Sequence, residues 1–410
     1  MKHRKWTREG AVSASVDLGD LVFLSLEPWD AIWRRNQFVC AALASRHPEM
    51  KILFVPPAHD VSNRLRRGDF RGMFQPSAAA RSECLNIHFG RPLKFMPNTL
   101  ASGRVANRTL LRNHVRKMMM RLRLQHPVLW INDHAAHHLV GTLGESAVIY
   151  DITDDWTSLS QSPRLTALIR EQDEALCEKA DAIIVCSQRL YEMKSRFVEK
   201  LHLVPNGVDA EHYATVADRS LPVAPPAAGW KRPVFGYTGT IHPDRVDVPL
   251  LQHLAAALPQ ATFAMVGPNH LPAPTMQQFE KCPNVVFTGP VPYHDIPDYM
   301  RAFDVCMTPH RMTAFTESLN PIKLWEYLAA GKPIVSTDVA GFRDYPHYVR
   351  IASTPESFAA ALVASLDEPA AMGESRREEA RRHSWKSRVD KIESIIESTL
   401  ASRKRPPVHV

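Results

Sequence analysis

Short apolar runs of strand length alternate with helical patterns along nearly the whole chain. The runs are residues 20–26, 51–55, 128–131, 147–150, 182–186 and 201–204 in the first half, and residues 234–237, 262–266, 285–288, 305–307 and 334–336 in the second half. The segments between the strands are long enough for the helical crossovers that parallel strands require. The alternation therefore predicts an α/β protein with two doubly wound, Rossmann-like halves.

The length of the chain favours two domains. At 410 residues it exceeds what one ordinary hydrophobic core supports. We predict an N-terminal domain at residues 1–213 and a C-terminal domain at residues 234–384. Residues 214–233 are rich in proline and alanine and lack periodicity, so they are predicted to form the linker. Residues 385–410 are predicted to form a C-terminal helix that returns to the N-terminal domain.

Several protein classes are disfavoured by motifs that the sequence lacks. Neither half has GxGxxG after its first strand, and GxxxxGK[ST] does not occur, so a nicotinamide, flavin or P-loop enzyme is not expected. No apolar run reaches about eighteen residues, and no apolar segment follows the basic start, so we expect neither a membrane span nor a secretory signal. The six cysteines are scattered, as is typical of a reducing compartment. The expected location is the cytoplasm.

Positive charge is concentrated between residues 61 and 123, where the only acidic residues are Asp69 and Glu83. Within this block, arginines recur at four-residue spacing at positions 104, 108, 112 and 116, interleaved with leucine, valine and methionine. The pattern predicts a basic amphipathic helix at residues 98–124. Such a helix can dock on an acidic membrane surface, or it can be an ordinary helix with a solvated charged face. Nucleic acid is not expected as a partner, because interleaved aromatic residues and known binding motifs are missing.

The segment ESLNPIKLWEYLAAGKPIVST, residues 317–337, predicts a capped helix followed by a strand. Asn320 is a suitable N-cap. Pro321 suits the first helical position, because the backbone N–H that proline lacks would have no hydrogen-bond partner there. Gly331, with a proline two residues later, predicts the end of the helix.

Two charged residues of this predicted helix suggest a ligand. Lys323 lies in the first turn, where it opposes the helix dipole, so its presence points to a bound anion such as a phosphate. Glu326, one turn later, is placed to accept hydrogen bonds from two hydroxyls of a ribose. The alternative is a surface salt bridge between the two side chains at three-residue spacing.

The order of four motifs along the chain resembles a known family. VPNGVD, GYTGTIHPDR and VGPN are followed by NPIKLWEYLAAGKPIVST. Together they resemble GT-B glycosyltransferases of the family-four type, including bacterial enzymes of teichuronic acid and exopolysaccharide biosynthesis. The resemblance covers nearly the whole chain, from Asp20 to about Leu400. It implies two Rossmann-like domains facing a central cleft, with the donor held by the C-terminal domain and the acceptor by the N-terminal domain.

The resemblance also implies which residues bind the donor, a UDP- or GDP-linked sugar. Glu326 takes the position of the ribose-binding glutamate, and Lys323 lies at the helix start near the phosphates. Arg245 falls where many relatives carry a lysine that neutralises the diphosphate. Thr240 replaces the usual second cation, so Arg311 is the candidate for that charge. The other implied donor-binding residues are Gly239, Tyr293 and Asn320.

Four residues are candidates for catalysis. His134 follows the strand at residues 128–131 and is placed to contact the sugar or the attacking hydroxyl. Asp154 and Asp155 follow the strand at residues 147–150, where either is a general base if the reaction inverts configuration, or a helix cap. The resemblance implies that Glu317 contacts the transferred sugar, although its spacing from the ribose-binding glutamate is one residue longer than in many relatives.

No cofactor or metal ion is expected. Cations and helix amides can stabilise a departing diphosphate without one, which is the electrostatic task that a metal otherwise performs. The cluster DHAAHH, from Asp133 to His138, can also be read as a set of metal ligands.

These observations predict a metal-independent hexosyltransferase. It moves a sugar from a nucleotide sugar to a lipid-linked or polysaccharide acceptor, in the cytoplasm or peripherally on the inner membrane face. Two rival functions remain open at the level of the sequence. One is a nucleotide-sugar epimerase on the same fold, and the other is a non-catalytic GT-B-like subunit that binds a polysaccharide or a partner enzyme.

Overall fold

The structure, a computed structural model, describes residues 17–66, 84–97, 101–159 and 161–404. These residues divide into two units with separate hydrophobic cores. Of the described residues, unit 1 holds those in Met1–Thr153, Gln161–Val204 and Val389–Val410, and unit 2 holds those in Asp154–Ser160 and Pro205–Arg388.

Unit 1 is built on a parallel seven-stranded sheet in the order β4-β2-β1-β6-β7-β8-β9. Its strands are β1 (Leu21–Leu24), β2 (Ile52–Val55), β4 (Ile87–Phe89), β6 (Val128–Ile131), β7 (Ala147–Ile152), β8 (Ala182–Val185) and β9 (Leu201–Leu203), and β3 (His59–Asp60) pairs separately with β5 (Leu93–Lys94). Its helices are α1 (Arg35–Arg46), α2 (Val61–Arg66), α3 (Ala101–Leu122), α4 (Pro163–Lys179) and α5 (Gln188–Met193). Strands β1, β2, β6, β7 and β8 are buried along their whole length, as expected of a parallel sheet covered on both faces.

A buried ion pair joins α1 to the sheet of unit 1. The Arg35 guanidinium donates to both carboxylate oxygens of Asp151, at 3.0 and 3.1 Å, and also to the carbonyl oxygen of Val204 at 3.0 Å. Arg35 and Asp151 are both almost completely buried. A charge in such a position requires its partner, because an unpaired buried charge is strongly destabilising.

The predicted basic helix is α3. Residues 98–100 of the prediction lie outside the described residues. Gly103, Val115 and Met119 are buried, whereas Arg116, Lys117 and Arg121 are exposed. None of the helices in the described residues combines the length and the hydropathy that crossing a membrane requires.

Unit 2 is built on a parallel six-stranded sheet in the order β12-β11-β10-β13-β14-β15. Its strands are β10 (Val234–Thr238), β11 (Thr262–Val266), β12 (Val285–Phe287), β13 (Val305–Thr308), β14 (Ile334–Thr337) and β15 (Val349–Ala352). Its helices are α6 (Ala210–Ala214), α7 (Val248–Ala257), α8 (Ala273–Gln278), α9 (Ile296–Met300), α10 (Ala314–Ser318), α11 (Ile322–Ala330), α12 (Pro355–Ala364) and α13 (Ala371–Arg382). The two parallel sheets confirm the predicted α/β class.

The last helix, α14 (Trp385–Lys404), belongs to unit 1 from Val389 onward. There Arg46 of α1 pairs with Asp390 at 2.7 Å and with Glu393 at 3.1 Å. Lys391 donates to the carbonyl oxygen of Leu203 at 2.7 Å. These contacts attach the helix to both α1 and β9 of unit 1.

The segment at 214–233, predicted to be the linker, is instead a packed part of unit 2. Ala224 and Ala227 are buried against Ala302, and the amide of Ala224 donates to the carbonyl oxygen of Asp298 at 3.0 Å. Small apolar residues without periodicity give no local signal of burial, which is why the composition of the segment was misleading.

Candidate functional site

Glycines follow three neighbouring strands at the carboxyl edge of the unit 2 sheet. Gly239, Gly267 and Gly289 come after β10, β11 and β12 with φ angles of +127°, +141° and +74°. A Cβ atom on Gly267 would lie 2.2 Å from the carbonyl oxygen of Gly239, so these two loops approach each other backbone to backbone. In open α/β sheets, ligands bind at this edge, and glycine leaves the backbone accessible to them.

Lys323, in the first turn of α11, reaches this edge. Its ammonium nitrogen lies 5.1 Å from the centre of the Tyr237 ring. A Cβ atom on Gly239 would lie 3.1 Å from the same nitrogen. The positive charge is therefore held beside the end of β10, where the backbone is open.

Arg245 supplies a second positive charge close to the first, and we call Lys323 and Arg245 the cation pair. The Arg245 guanidinium lies 5.5 Å from the centre of the Phe315 ring. Burial, followed by the charge of Arg245, lowers the pKa of Lys323 to about 8, whereas Glu326 acts in the opposite direction. Burial and both cations also hold the pKa of His310 well below its usual value, so this histidine is neutral near pH 7. Two cations that repel each other favour a bound anion.

Glu326 lies one turn further along α11 and bonds a tyrosine. The Tyr213 hydroxyl donates to its Oε1 at 2.7 Å. Burial raises the pKa of Glu326, while the Tyr213 bond and Lys323 act against this change. No described ion pair within 4.0 Å joins Glu326 to Lys323, so the simple salt bridge that the sequence allowed is not formed. The Tyr213 hydroxyl bonds only one carboxylate oxygen of Glu326, Oε1, and leaves Oε2 available to other donors.

Asn320 is not the N-cap that the sequence predicts. Helix α11 begins at Ile322 with Pro321 at the N-cap position, and no side chain caps it. The Asn320 side-chain oxygen instead accepts from the Asn206 amide at 2.8 Å, and its carbonyl accepts from the Asn206 side chain at 2.6 Å. Asn320 therefore positions the VPNGVD loop. The predicted end of the helix is confirmed, because Gly331 adopts the left-handed conformation with φ of +68°.

The other two implied donor-binding residues have structural contacts. Tyr293 is buried, and the His212 ring stacks on it at 4.4 Å. The exposed Arg311 guanidinium donates to the carbonyl oxygen of Pro243 at 3.1 Å. The backbone amide of Arg311 donates to the carbonyl oxygen of Arg245 at 2.7 Å. Arg311 thus braces the loop that carries one member of the cation pair.

Glu317 is engaged by an arginine of unit 2. Both of its carboxylate oxygens accept from Arg343, at 2.9 and 2.8 Å, and Arg343 also pairs with Asp338 at 2.7 Å. The pair is partly exposed. A role in contacting a sugar would require Glu317 to share or exchange this partner.

Asp155 caps a short 3-10 helix, Trp156–Ser158, in unit 2. Its Oδ1 accepts from the Thr157 amide at 3.0 Å and from the Thr157 hydroxyl at 2.6 Å, and its Oδ2 accepts from the Ser158 hydroxyl. This is the capping alternative that the sequence left open, and it occupies both oxygens. Asp154 precedes it in the same unit and is half-buried.

His134 belongs to unit 1, where it begins a 3-10 helix, His134–Leu139, after β6. Asp133 caps this helix by accepting from the Ala135 amide at 2.9 Å. Burial lowers the pKa of His134, and the neighbouring Asp133 acts against this change. No group of three or more potential metal ligands is arranged to hold an ion anywhere in the described part of the chain, so the metal reading of DHAAHH finds no support there.

Several residues of the unit 2 site were not singled out by the sequence. Tyr213 positions Glu326, and the Tyr237 hydroxyl donates to the carbonyl oxygen of Thr240 at 3.0 Å. The Tyr327 hydroxyl accepts from the amide of Thr238 at 2.8 Å. Aromatic residues in strands and helices look like ordinary core in a sequence, so no local signal identifies their hydroxyl groups as part of a site.

The chain is similar to known glycosyltransferases in sequence and in fold. Residues 232–368 match the family model described as "Glycosyl transferases group 1". The "Putative teichuronic acid biosynthesis glycosyltransferase TuaH" of Bacillus subtilis (strain 168) is 30% identical over 203 residues, which cover 47% of this chain and 50% of that protein. The chain thus aligns with about half the length of the curated relative that it matches.

Solved structures of similar fold cover most of the chain. Sucrose-phosphate synthase from Thermosynechococcus elongatus superposes with a TM-score of 0.69 at 16% identity, covering 94% of this chain and 100% of that one. The UDP-forming α,α-trehalose-phosphate synthase from Burkholderia vietnamiensis has a TM-score of 0.69 at 13% identity, covering 95% and 99%. Anabaena HepE in complex with UDP and glucose has a TM-score of 0.62 at 16% identity, covering 94% and 100%. Residues 232–368 are therefore similar to group 1 glycosyltransferases, in a chain that has the GT-B fold.

Proposed function

We propose that this protein transfers a hexose from a UDP- or GDP-linked sugar to a lipid-linked or polysaccharide acceptor in the synthesis of a cell-surface polysaccharide. The observation that carries the proposal is the cation pair at the glycine-lined edge of the unit 2 sheet. In the described residues, no carboxylate lies within 4.0 Å of Lys323 or Arg245. The names of TuaH, as a teichuronic acid glycosyltransferase, and of HepE, in complex with UDP, support this choice.

The cation pair suits a diphosphate leaving group. When the bond between the sugar and the diphosphate breaks, negative charge builds up on the phosphate oxygens. Fixed positive groups aimed at that charge stabilise the transition state. The N-terminal amides of α11, which starts at Ile322, add to the positive field. The missing side chain of Gly239 leaves room for a phosphate beside Lys323, and the missing side chain of Gly267 lets its loop pack against the Gly239 backbone at this edge. This arrangement stabilises the leaving group without a metal ion.

Glu326 suits the ribose of the nucleotide. A carboxylate accepts hydrogen bonds from two adjacent hydroxyls, and the bond from Tyr213 fixes the orientation of the side chain. Because burial raises its pKa, the ionised form gains from additional donors, which the ribose hydroxyls would provide.

The proposed place of action is the cytoplasmic face of a membrane. Helix α3 exposes Arg116, Lys117 and Arg121 together with the apolar Val105 and Met120, which are 63% and 73% exposed. Such a surface can bind acidic lipids. Flotation with acidic liposomes at low salt checks this point, since binding should fall steeply as salt is raised.

The donor site is tested by nucleotide binding. UDP or GDP should stabilise the folded protein by mass action and so raise its melting temperature. When the nucleotide concentration is one hundred times the dissociation constant, the free energy of unfolding should increase by about 2.7 kcal/mol. Glu326→Gln, which still accepts from Tyr213, should largely remove this shift, whereas the exposed Glu356→Gln should retain it. A melting temperature that no nucleoside diphosphate changes would refute the proposal.

Transfer itself is tested with membranes and a panel of radiolabelled nucleotide sugars. Label in the lipid or polysaccharide fraction is the expected result. An altered sugar that stays on the nucleotide would instead identify an epimerase. Nucleotide binding with no product from any donor would favour a non-catalytic subunit. Thr240, at the position where many relatives carry the second cation of the diphosphate site, supports this alternative.

A further inference from the structure

A cavity of about 600 Å³ lies in unit 1, apart from the residues described above for the donor. Its base is formed by the carboxyl ends of β1 and β2 and by Asp133 and His134 after β6, and its walls come from α3 and α4. All of its lining residues belong to unit 1. The volume is in the range of small-molecule sites, and the carboxyl edge of a parallel sheet is where such ligands bind.

The walls of this cavity carry an excess of positive charge. Arg104 and Arg108 stand one turn apart on α3, and Arg164 lies at the start of α4. No described ion pair engages Arg108 or Arg164, whereas Lys94, also in the lining, is neutralised by Asp60 at 2.7 Å. Asp133 is the one carboxylate among the described lining residues, and burial raises its pKa. Arg108 and Arg164, set against a single carboxylate among the described lining residues, favour an anionic ligand.

The same cavity has an apolar side. Leu111 follows Arg108 by one turn on α3, and Leu165 and Leu168 face the cavity from α4. Leu93 and Leu165 are 45% and 44% exposed, so these side chains still offer apolar surface to a ligand. Burying such surface is favourable, and a phosphate or a sugar phosphate alone has nothing apolar to place there.

We propose that this cavity binds the phosphate end of a lipid-linked acceptor, an inference that rests on the transfer reaction proposed above. Arg108 and Arg164 would pair with the phosphate or diphosphate, and the leucines would cover the first carbons of the lipid chain. The two acceptor classes named under the proposed function are thereby reduced to the lipid-linked one. His134 and Asp133 would lie at the inner end of the same ligand.

Calorimetry with farnesyl phosphate, kept below its micellar concentration, tests the proposal. Replacing both Arg108 and Arg164 by Gln removes two charges from the lining and should weaken binding about tenfold or more. The matched control is Arg123→Gln with Arg170→Gln, which also removes two charges, at exposed positions outside the lining, one directly after α3 and one on α4. The control should bind almost as tightly as the unmodified protein, and equal weakening in both double variants would overturn the proposal.

Shorter and more polar phosphates test the lipid assignment. Isopentenyl phosphate, glucose 6-phosphate and inorganic phosphate should each bind about tenfold or more weakly than farnesyl phosphate, because they bury less apolar surface. Glucose 6-phosphate binding as tightly as farnesyl phosphate would overturn the lipid assignment and identify a sugar phosphate site.

A UDP titration of the same preparation separates the two proposals. Farnesyl phosphate binding without UDP binding would support the lipid phosphate site in the cavity and refute the proposed donor site. UDP binding without farnesyl phosphate binding would do the reverse. The melting temperatures of both double variants are measured to check that these proteins fold. If the Arg108 and Arg164 double variant does not fold, the two single variants are measured in its place.

Discussion

Replacing Lys323 by methionine should stabilise the ligand-free protein at pH 7 and remove most of its affinity for UDP. Methionine keeps an unbranched apolar side chain but carries no charge. In the ligand-free protein, the ammonium lies beside another cation and is partly buried, with no described carboxylate within 4.0 Å. The substitution removes this unfavourable charge, and it also removes a charge-assisted contact to the phosphates.

The size of the effect follows from the pKa of Lys323. A fall of the pKa from the ordinary value of 10.5 to about 8 corresponds to roughly 3.5 kcal/mol, at about 1.4 kcal/mol per pH unit. This is an upper limit, because the side chain is partly exposed and solvent screens its charge. Loss of Lys323 also removes a nearby positive charge from Glu326, whose pKa is already raised. We therefore expect a gain of about 1–2 kcal/mol and a loss of UDP affinity of about tenfold or more.

The pH dependence has a definite sign. The folded protein releases the Lys323 proton near pH 8, whereas the unfolded chain keeps it to about pH 10.5. Between these values the unfolded chain binds more protons, so the stability of the unmodified protein rises with pH. Lys323→Met has no such rise, and the two proteins should converge in stability by about pH 10.5.

Urea unfolding at pH 7 and pH 10, with UDP titrations at pH 7, measures these effects. Lys332→Met is the matched control, because burial lowers the pKa of this lysine as well but its ammonium donates to the carbonyl oxygen of Phe303. The control should keep its UDP affinity and lose stability. A Lys323→Met protein that is less stable than the unmodified one at pH 7, or that binds UDP equally well, would refute the reasoning.

Three further substitutions test the framework of the two units. Asp151→Asn should lower the free energy of unfolding by about 3–5 kcal/mol in urea, because it leaves the Arg35 charge buried without its counter-charge; a change below 1 kcal/mol would contradict this. Gly267→Ala should cost at least about 2 kcal/mol and weaken UDP binding, since its φ is +141° and a Cβ atom would meet backbone at 2.2 Å; calorimetry showing unchanged affinity would count against it. Glu317→Gln should change the free energy of unfolding by less than about 1 kcal/mol, because its pair with Arg343 is partly exposed, and a larger loss would show that the pair supports the fold.

Local features of the sequence determined the fold class and part of the proposed donor site. Strand-length apolar runs separated by helical patterns are sufficient to indicate parallel sheets, since each run must be buried on both faces. The end of α11 at Gly331 was predictable because a left-handed cap depends only on the residue itself. Lys323 was noticeable because a cation in a first helical turn is locally unfavourable.

The tertiary structure decided which side chains meet, and distant parts of the chain supply those partners. Asn320 bonds Asn206 rather than the helix start, and Glu326 bonds Tyr213, each across more than one hundred residues. The burial of Ala224 in the expected linker, and the cavity between α3 and α4, likewise depend on packing that no periodicity encodes. The sequence alone determined the elements and the charges they carry, whereas burial and long-range contacts, which arise only when the chain folds, decided the environment of each charge.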